Sequence, residues 1–123
     1  MKNARFRCIL SALGIALLPA LASTPAAAAS ACHPMLSTRD GMLSSVSSIG
    51  VIKRMGELCQ VPKSATEQKA GEDLAMAQPC LTELGVKAQE IQAALQRGAA
   101  SADDVYAKSE DKARLCEAAR EEY

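Results

Sequence analysis

The side chains that could do the most chemistry in this chain are its five cysteines, Cys8, Cys32, Cys59, Cys80 and Cys116. No two lie closer than 20 residues, so the C-x-x-C spacing of a redox dithiol, a zinc knuckle or an ordinary haem attachment site is absent. What remains is crosslinking. An even set of cysteines in an exported chain forms disulfides, and Cys32, Cys59, Cys80 and Cys116 make such a set once Cys8 is discarded with a leader. On the chain-entropy view each bridge across a loop of this size stabilises the fold by about 3 to 4 kcal/mol.

His33 is the only histidine. A Ser-His-Asp or Cys-His constellation therefore cannot form away from the extreme N-terminus, and a zinc site would have to recruit carboxylates or reduced thiols. Cleavage after Ser30 would leave Ala31-Cys32-His33, a terminus of the X-X-His form that binds copper or nickel, which makes His33 a weak metal candidate. An exposed histidine beside a disulfide is the stronger expectation. The segment from Ala29 to His33 also carries fragments of a single-cysteine haem site and of a lipoprotein box. The first finds no clear axial ligand among Met35, Met42, Met55 and Met76, and the second would strand one of the other cysteines. Glu83, Lys87 and Glu90 have the spacing of one helix face, where a solvated salt-bridge ladder is expected rather than a pair of catalytic carboxylates. The sequence thus predicts no catalytic residues, no cofactor and no enzyme.

The elements that position these residues begin after a leader. Lys2, Arg5 and Arg7 precede an apolar run from Cys8 to Leu18, followed by Pro19 and the alanines 26 to 29. This is the pattern of a signal peptide over residues 1–29, with Ala27 and Ala29 as the small residues before the cut and a second possible cut after Ala22. The run is too short, and too interrupted by Ser11, Gly14 and Pro19, to span a bilayer. Processing would remove three basic residues and no acidic ones, leaving 11 Lys and Arg against 14 Asp and Glu, a net charge of −3, in a single domain over 30–123. Tyr106 and Tyr123 would be its only aromatic side chains. Such a chain has neither the basic field for nucleic acid or anionic lipid nor the rings for base stacking. The expected destination is the periplasm or the exterior of the cell, with no integral membrane span after cleavage.

Hydrophobic spacing predicts an all-α fold. Met42, Val46, Ile49, Ile52, Met55 and Cys59 form one stripe over a helix from about Asp40 to Cys59, with Gly41 and Ser45 as candidates for close contact with a neighbouring helix. Gln60 to Lys63 is a connector broken by Pro62. Ser64 and Glu67 have capping-box spacing, and Ala70, Leu74, Ala77, Leu81, Leu84, Ala88, Ile91 and Leu95 continue one heptad phase. That phase runs straight through Pro79, which predicts a single kinked helix from about Ala65 to Gln96, with Pro79 as the place where it would divide into two. Arg97 and Gly98 have the character of its C-terminus, and a last, weakly apolar helix starts near Ser101. The result is a small three-helix bundle with two disulfides. If its helices run up, down and up, Cys80 pairs with Cys116 and Cys32 with Cys59; the alternative pairs Cys32 with Cys80 and Cys59 with Cys116.

These features predict a non-enzymatic, disulfide-stapled interaction or accessory module. Ile91 and Leu95, where the heptad stripe outruns the other helices, form its expected face for another protein or another copy of the chain. The alternative is a carrier of a small apolar ligand in a cavity between the helices.

Overall fold

A computed structural model describes residues 30–123, and the signal peptide expected over 1–29 lies outside the described residues. Among the described residues the fold is all-α: after a short 3-10 turn, Pro34–Leu36, come α1 (Arg39–Leu58), α2 (Lys63–Glu83), α3 (Ala88–Lys108) and α4 (Lys112–Arg120), with no strand. None of these helices is long and apolar enough to cross a membrane.

Helix α1 forms where its stripe predicts. Thr38 caps it, its hydroxyl accepting the Gly41 N–H at 3.1 Å. Met42, Val46, Ile49, Met55 and Cys59 are buried along one side. The serines that weaken its first half are compensated by packing, because α1 is the centre of the molecule and α2, α3 and α4 all lie against it. Its end is a Schellman turn: Val61 N–H donates to Gly56 O at 2.9 Å and Gln60 N–H to Glu57 O at 3.1 Å, with Gln60 at φ 61°.

The long second helix of the sequence reading is two helices, and the division falls at Leu84 to Lys87 rather than at Pro79. Pro79 sits inside α2 on its exposed side. The chain reverses at Gly85, whose φ of 69° is natural for glycine. A second Schellman turn forms there, with Val86 N–H donating to Leu81 O at 2.9 Å and Gly85 N–H to Thr82 O at 3.0 Å. Val86, just past the turn, is buried in the same cluster as Leu81 and Ile91. Apart from Ala88, which is exposed at the start of α3, the stripe keeps its phase across the break because both helices turn it toward α1. At the other end α2 starts at Lys63, one residue before the expected cap, and Pro62 provides no side-chain cap; the Ser64 and Glu67 box is unused.

Gly98 does not end a helix. α3 runs through it, and Ser109 to Asp111 make the break before α4, with the Asp111 carboxylate accepting the Arg114 N–H at 3.0 Å. The reason is tertiary. A Cβ built on Gly98 would overlap the Ser47 carbonyl oxygen and stand 2.9 Å from Val51 N, while one on Gly50 would overlap the Leu95 carbonyl. The backbones of α1 and α3 therefore touch through two reciprocal glycines, and not through Gly41 and Ser45. Arg39 pairs with Glu90 at one end of this contact and Arg54 with Asp103, at 2.7 Å, toward the other, so the two helices run parallel and α2 antiparallel.

Gly50→Ala and Gly98→Ala should each destabilise the fold by about 1 to 3 kcal/mol through overpacking. Gly71→Ala, at a helical glycine whose Cβ would meet nothing within 4 Å, should stabilise by up to about 1 kcal/mol. Urea unfolding with disulfides intact measures both, and a stabilising Gly98→Ala would refute the close contact. The Glu90 carboxylate accepts the Lys87 N–H at 2.8 Å and pairs with Arg39, and these interactions hold its pKa below the ordinary carboxylate value. A depressed folded pKa contributes stability above the unfolded pKa of about 4.3, and that contribution is lost as pH falls through the folded value. Glu90→Gln should therefore be less stable than wild type near pH 7, with the gap closing below about pH 4 in parallel unfolding series.

Candidate functional site

The four cysteines of the described chain form two bridges, Cys32–Cys80 and Cys59–Cys116, with Cα separations of 4.6 and 5.2 Å. The pairing of Cys32 with Cys59 and Cys80 with Cys116 is thus corrected. It placed Cys80 midway along a helix ending near Gln96. With the turn at Gly85, Cys80 lies in the last turn of α2, at the end of the bundle where the chain enters α1. Cys59 ends α1 at the opposite pole, where α4 folds back. Each bridge joins elements that meet at one pole, and both are compatible with an oxidising, extracellular compartment.

His33 is exposed, and its Nδ1 accepts the Met35 N–H at 3.1 Å, capping the 3-10 turn. That bond places the proton of the neutral ring on Nε2, the reverse of the arrangement in which Nδ1–H donates and Nε2 holds a metal. Among the described residues no group of three or more His, Cys, Asp or Glu side chains is gathered as a metal site. Glu83, Lys87 and Glu90 do not share a helix face, because the α2–α3 turn separates them. Glu83 receives Ser30 and Ala31, whereas Glu90 receives Lys87 N–H and Arg39.

The feature with the shape of a binding site is a groove of about 460 Å³. It lies between α2 and α3, which both pack on α1 while their backbones stand apart from one another. Gly50 of α1 and Ala70, Leu74, Leu95 and Ala99 of the flanking helices supply its apolar surface. Gly71 lines one wall and leaves it open, and Gln92 and Gln96 edge the other. The charged residues at one end, Lys53, Arg54, Glu57 and Glu67, balance in sign. Arg54 is held by Asp103 at 2.7 Å and by Glu57 at 3.1 Å, which raises its already high pKa, and Lys53 lies 3.4 Å from Glu57. Glu67 pairs with Lys63 at 3.7 Å, so each of these charges has a partner of opposite sign and the exposed lining of the groove is mainly apolar.

Of the two residues expected to form an interaction face, the structure places Ile91 in the core and Leu95 half-buried in the groove. The partners of Leu95 across the groove, Ala70 and Leu74, belong to the same heptad stripe, but its spacing could not show that the stripe folds back on itself. A smaller cleft of about 330 Å³ lies near the Cys32–Cys80 bridge, lined by Ala31, His33, Met42 and Met76 among others. Met76, 78% exposed, forms part of its rim.

Replacing Cys59 and Cys116 together by Ser should cost about 4 kcal/mol on the chain-entropy model, for a bridge separated by 57 residues. α4, which has only nine residues and packs mainly on α1, should then exchange its amide hydrogens before the rest of the chain. Hydrogen exchange that stays uniform along the variant would contradict this. No family, no curated protein and no solved structure matches the chain.

Proposed function

We propose that the protein is a non-enzymatic accessory module, exported to the periplasm or beyond the cell, which binds an amphipathic helix of another protein in the groove between α2 and α3. The groove carries this reading. Its walls come from residues 67–74, 92–99 and 50–57, about two helical turns and roughly 11 Å of each element. A helix that docks through apolar side chains at i, i+3 or i+4, and i+7 presents the same length. Small residues on the floor admit the bulky side chains of a partner, and the charges at one end, each already paired, impose no charge requirement on it. The leader and the two disulfides support export.

A second reading, carriage of a small apolar ligand, is favoured by the volume of the same groove, which lies within the range of small-molecule sites. The two readings separate by experiment. Gly71→Trp should fill the groove from a position whose Cβ meets nothing within 4 Å, leaving the fold intact, and Leu95→Glu should place a charge on its apolar surface. Both should reduce partner recovery from a crosslinked periplasmic or extracellular fraction at least tenfold, a loss of about 1.4 kcal/mol in binding. Equal recovery by wild type and both variants would sink helix binding. Displacement of a fluorescent fatty acid at micromolar concentration, abolished by Gly71→Trp, would establish the carrier instead.

A further inference from the structure

At the pole where the chain enters α1, one carboxylate gathers the start of the described chain. Glu83 Oε2 accepts the Ala31 N–H at 2.8 Å and the Ser30 hydroxyl at 3.2 Å, and the same hydroxyl accepts the Cys32 N–H at 3.1 Å. The Cys32–Cys80 bridge holds this segment three residues from Glu83 along α2. Glu83 is the last residue of α2, where the partial negative charge of the helix end disfavours an acid and favours a cation. Among the described residues it has no ion-pair partner.

We propose that Glu83 is the docking site for the α-ammonium group created when the leader is removed. This rests on the export reading above, in which the cut falls after Ala29. Cleavage there hydrolyses the Ala29–Ser30 amide, leaving a carboxylate on the leader and an ammonium on Ser30. The nitrogen of Ser30 is three bonds from a hydroxyl already on Glu83, so the new cation is delivered to an acid that has no cationic partner among the described residues. A cut after Ser30 would deliver the Ala31 nitrogen, itself 2.8 Å from the carboxylate. Processing thus adds a cationic donor to a carboxylate that neutral donors already hold, making an ion pair that only the mature chain can form. The pair fastens the segment carrying Ala31 and His33, which walls the cleft beside Met42 and Met76.

The other charged groups at this pole are Arg39, which donates to Gly85 O at 3.1 Å and pairs with Glu90, Asp40 in the first turn of α1 and Lys87 at the start of α3, while His33 and Asp73 line the cleft beside Ala31. A variant of Glu83 alone leaves all of these in place. The test uses the exported, oxidised protein. Intact mass identifies the first residue, and reductive ¹³C-methylation followed by an NMR pH titration reads the pKa of the terminal amine, well separated from lysines near 10.4. The expected result is a start at Ser30 or Ala31, with the terminal amine about half a unit or more above its usual 7.7 to 8.0 and returned to that range by Glu83→Gln. A start at Ser30 or Ala31 whose amine titrates alike in wild type and Glu83→Gln overturns the docking site alone. A start at Ser23, or an uncut chain, overturns it together with the assumed processing site.

Discussion

The backbone contact between α1 and α3 is the constraint on which the rest of the structure depends. Gly50 and Gly98 each present a bare Cα to a carbonyl of the opposite helix, so the two axes approach more closely than any larger residue would permit. In a chain with few large side chains and only two aromatics among its described residues, this matters energetically. Alanine and glycine bury little area each, and what compensates is the number of atoms brought within dispersion range when helices close on one another. The position of α3 on α1 then decides the remainder. α2 occupies another side of α1, and the space between α2 and α3 stays open as a groove where small residues, Gly50, Ala70, Gly71 and Ala99, line it.

The two disulfides act at the ends of this arrangement. Cys32–Cys80 ties the entry of α1 to the last turn of α2, and Cys59–Cys116 ties its exit to α4. Packing in the middle and covalent bonds at the poles divide the task of stabilisation between them. The elements with the least apolar surface, the irregular start and the nine-residue α4, are the ones that carry a cysteine partner for a longer helix. A small domain with a thin core needs such constraints on its unfolded state.

Charge has a local role. Arg39 with Glu90 and Arg54 with Asp103 fix the register of α1 against α3 at two levels, while partly exposed pairs of this kind contribute little stability each. Their consequence for the groove is subtractive. By engaging Lys53, Arg54 and Glu57 with one another or with Asp103, they leave the groove governed by shape and apolar surface.

The sequence by itself determined the all-α class, the extent of α1, the buried stripe and the suitability of the four cysteines for two bridges, because each depends on local spacing or on parity. It also marked Leu95 as a residue of interest. Tertiary structure decided where helices stop. Pro79 and Gly98 both carry the local signature of a break, yet the chain is helical through each: Pro79 faces outward, and Gly98 is needed as a helical residue against Ser47. Gly85 and Ser109, with weaker local signals, became the turns because reversal there returns apolar faces to α1. The disulfide pairing depended on those boundaries, since moving the turn from Gln96 to Gly85 carries Cys80 from mid-helix to a pole. The groove was illegible for the same reason, as a periodic stripe records which residues face inward but not that two segments of it will flank a third helix with a gap between their backbones.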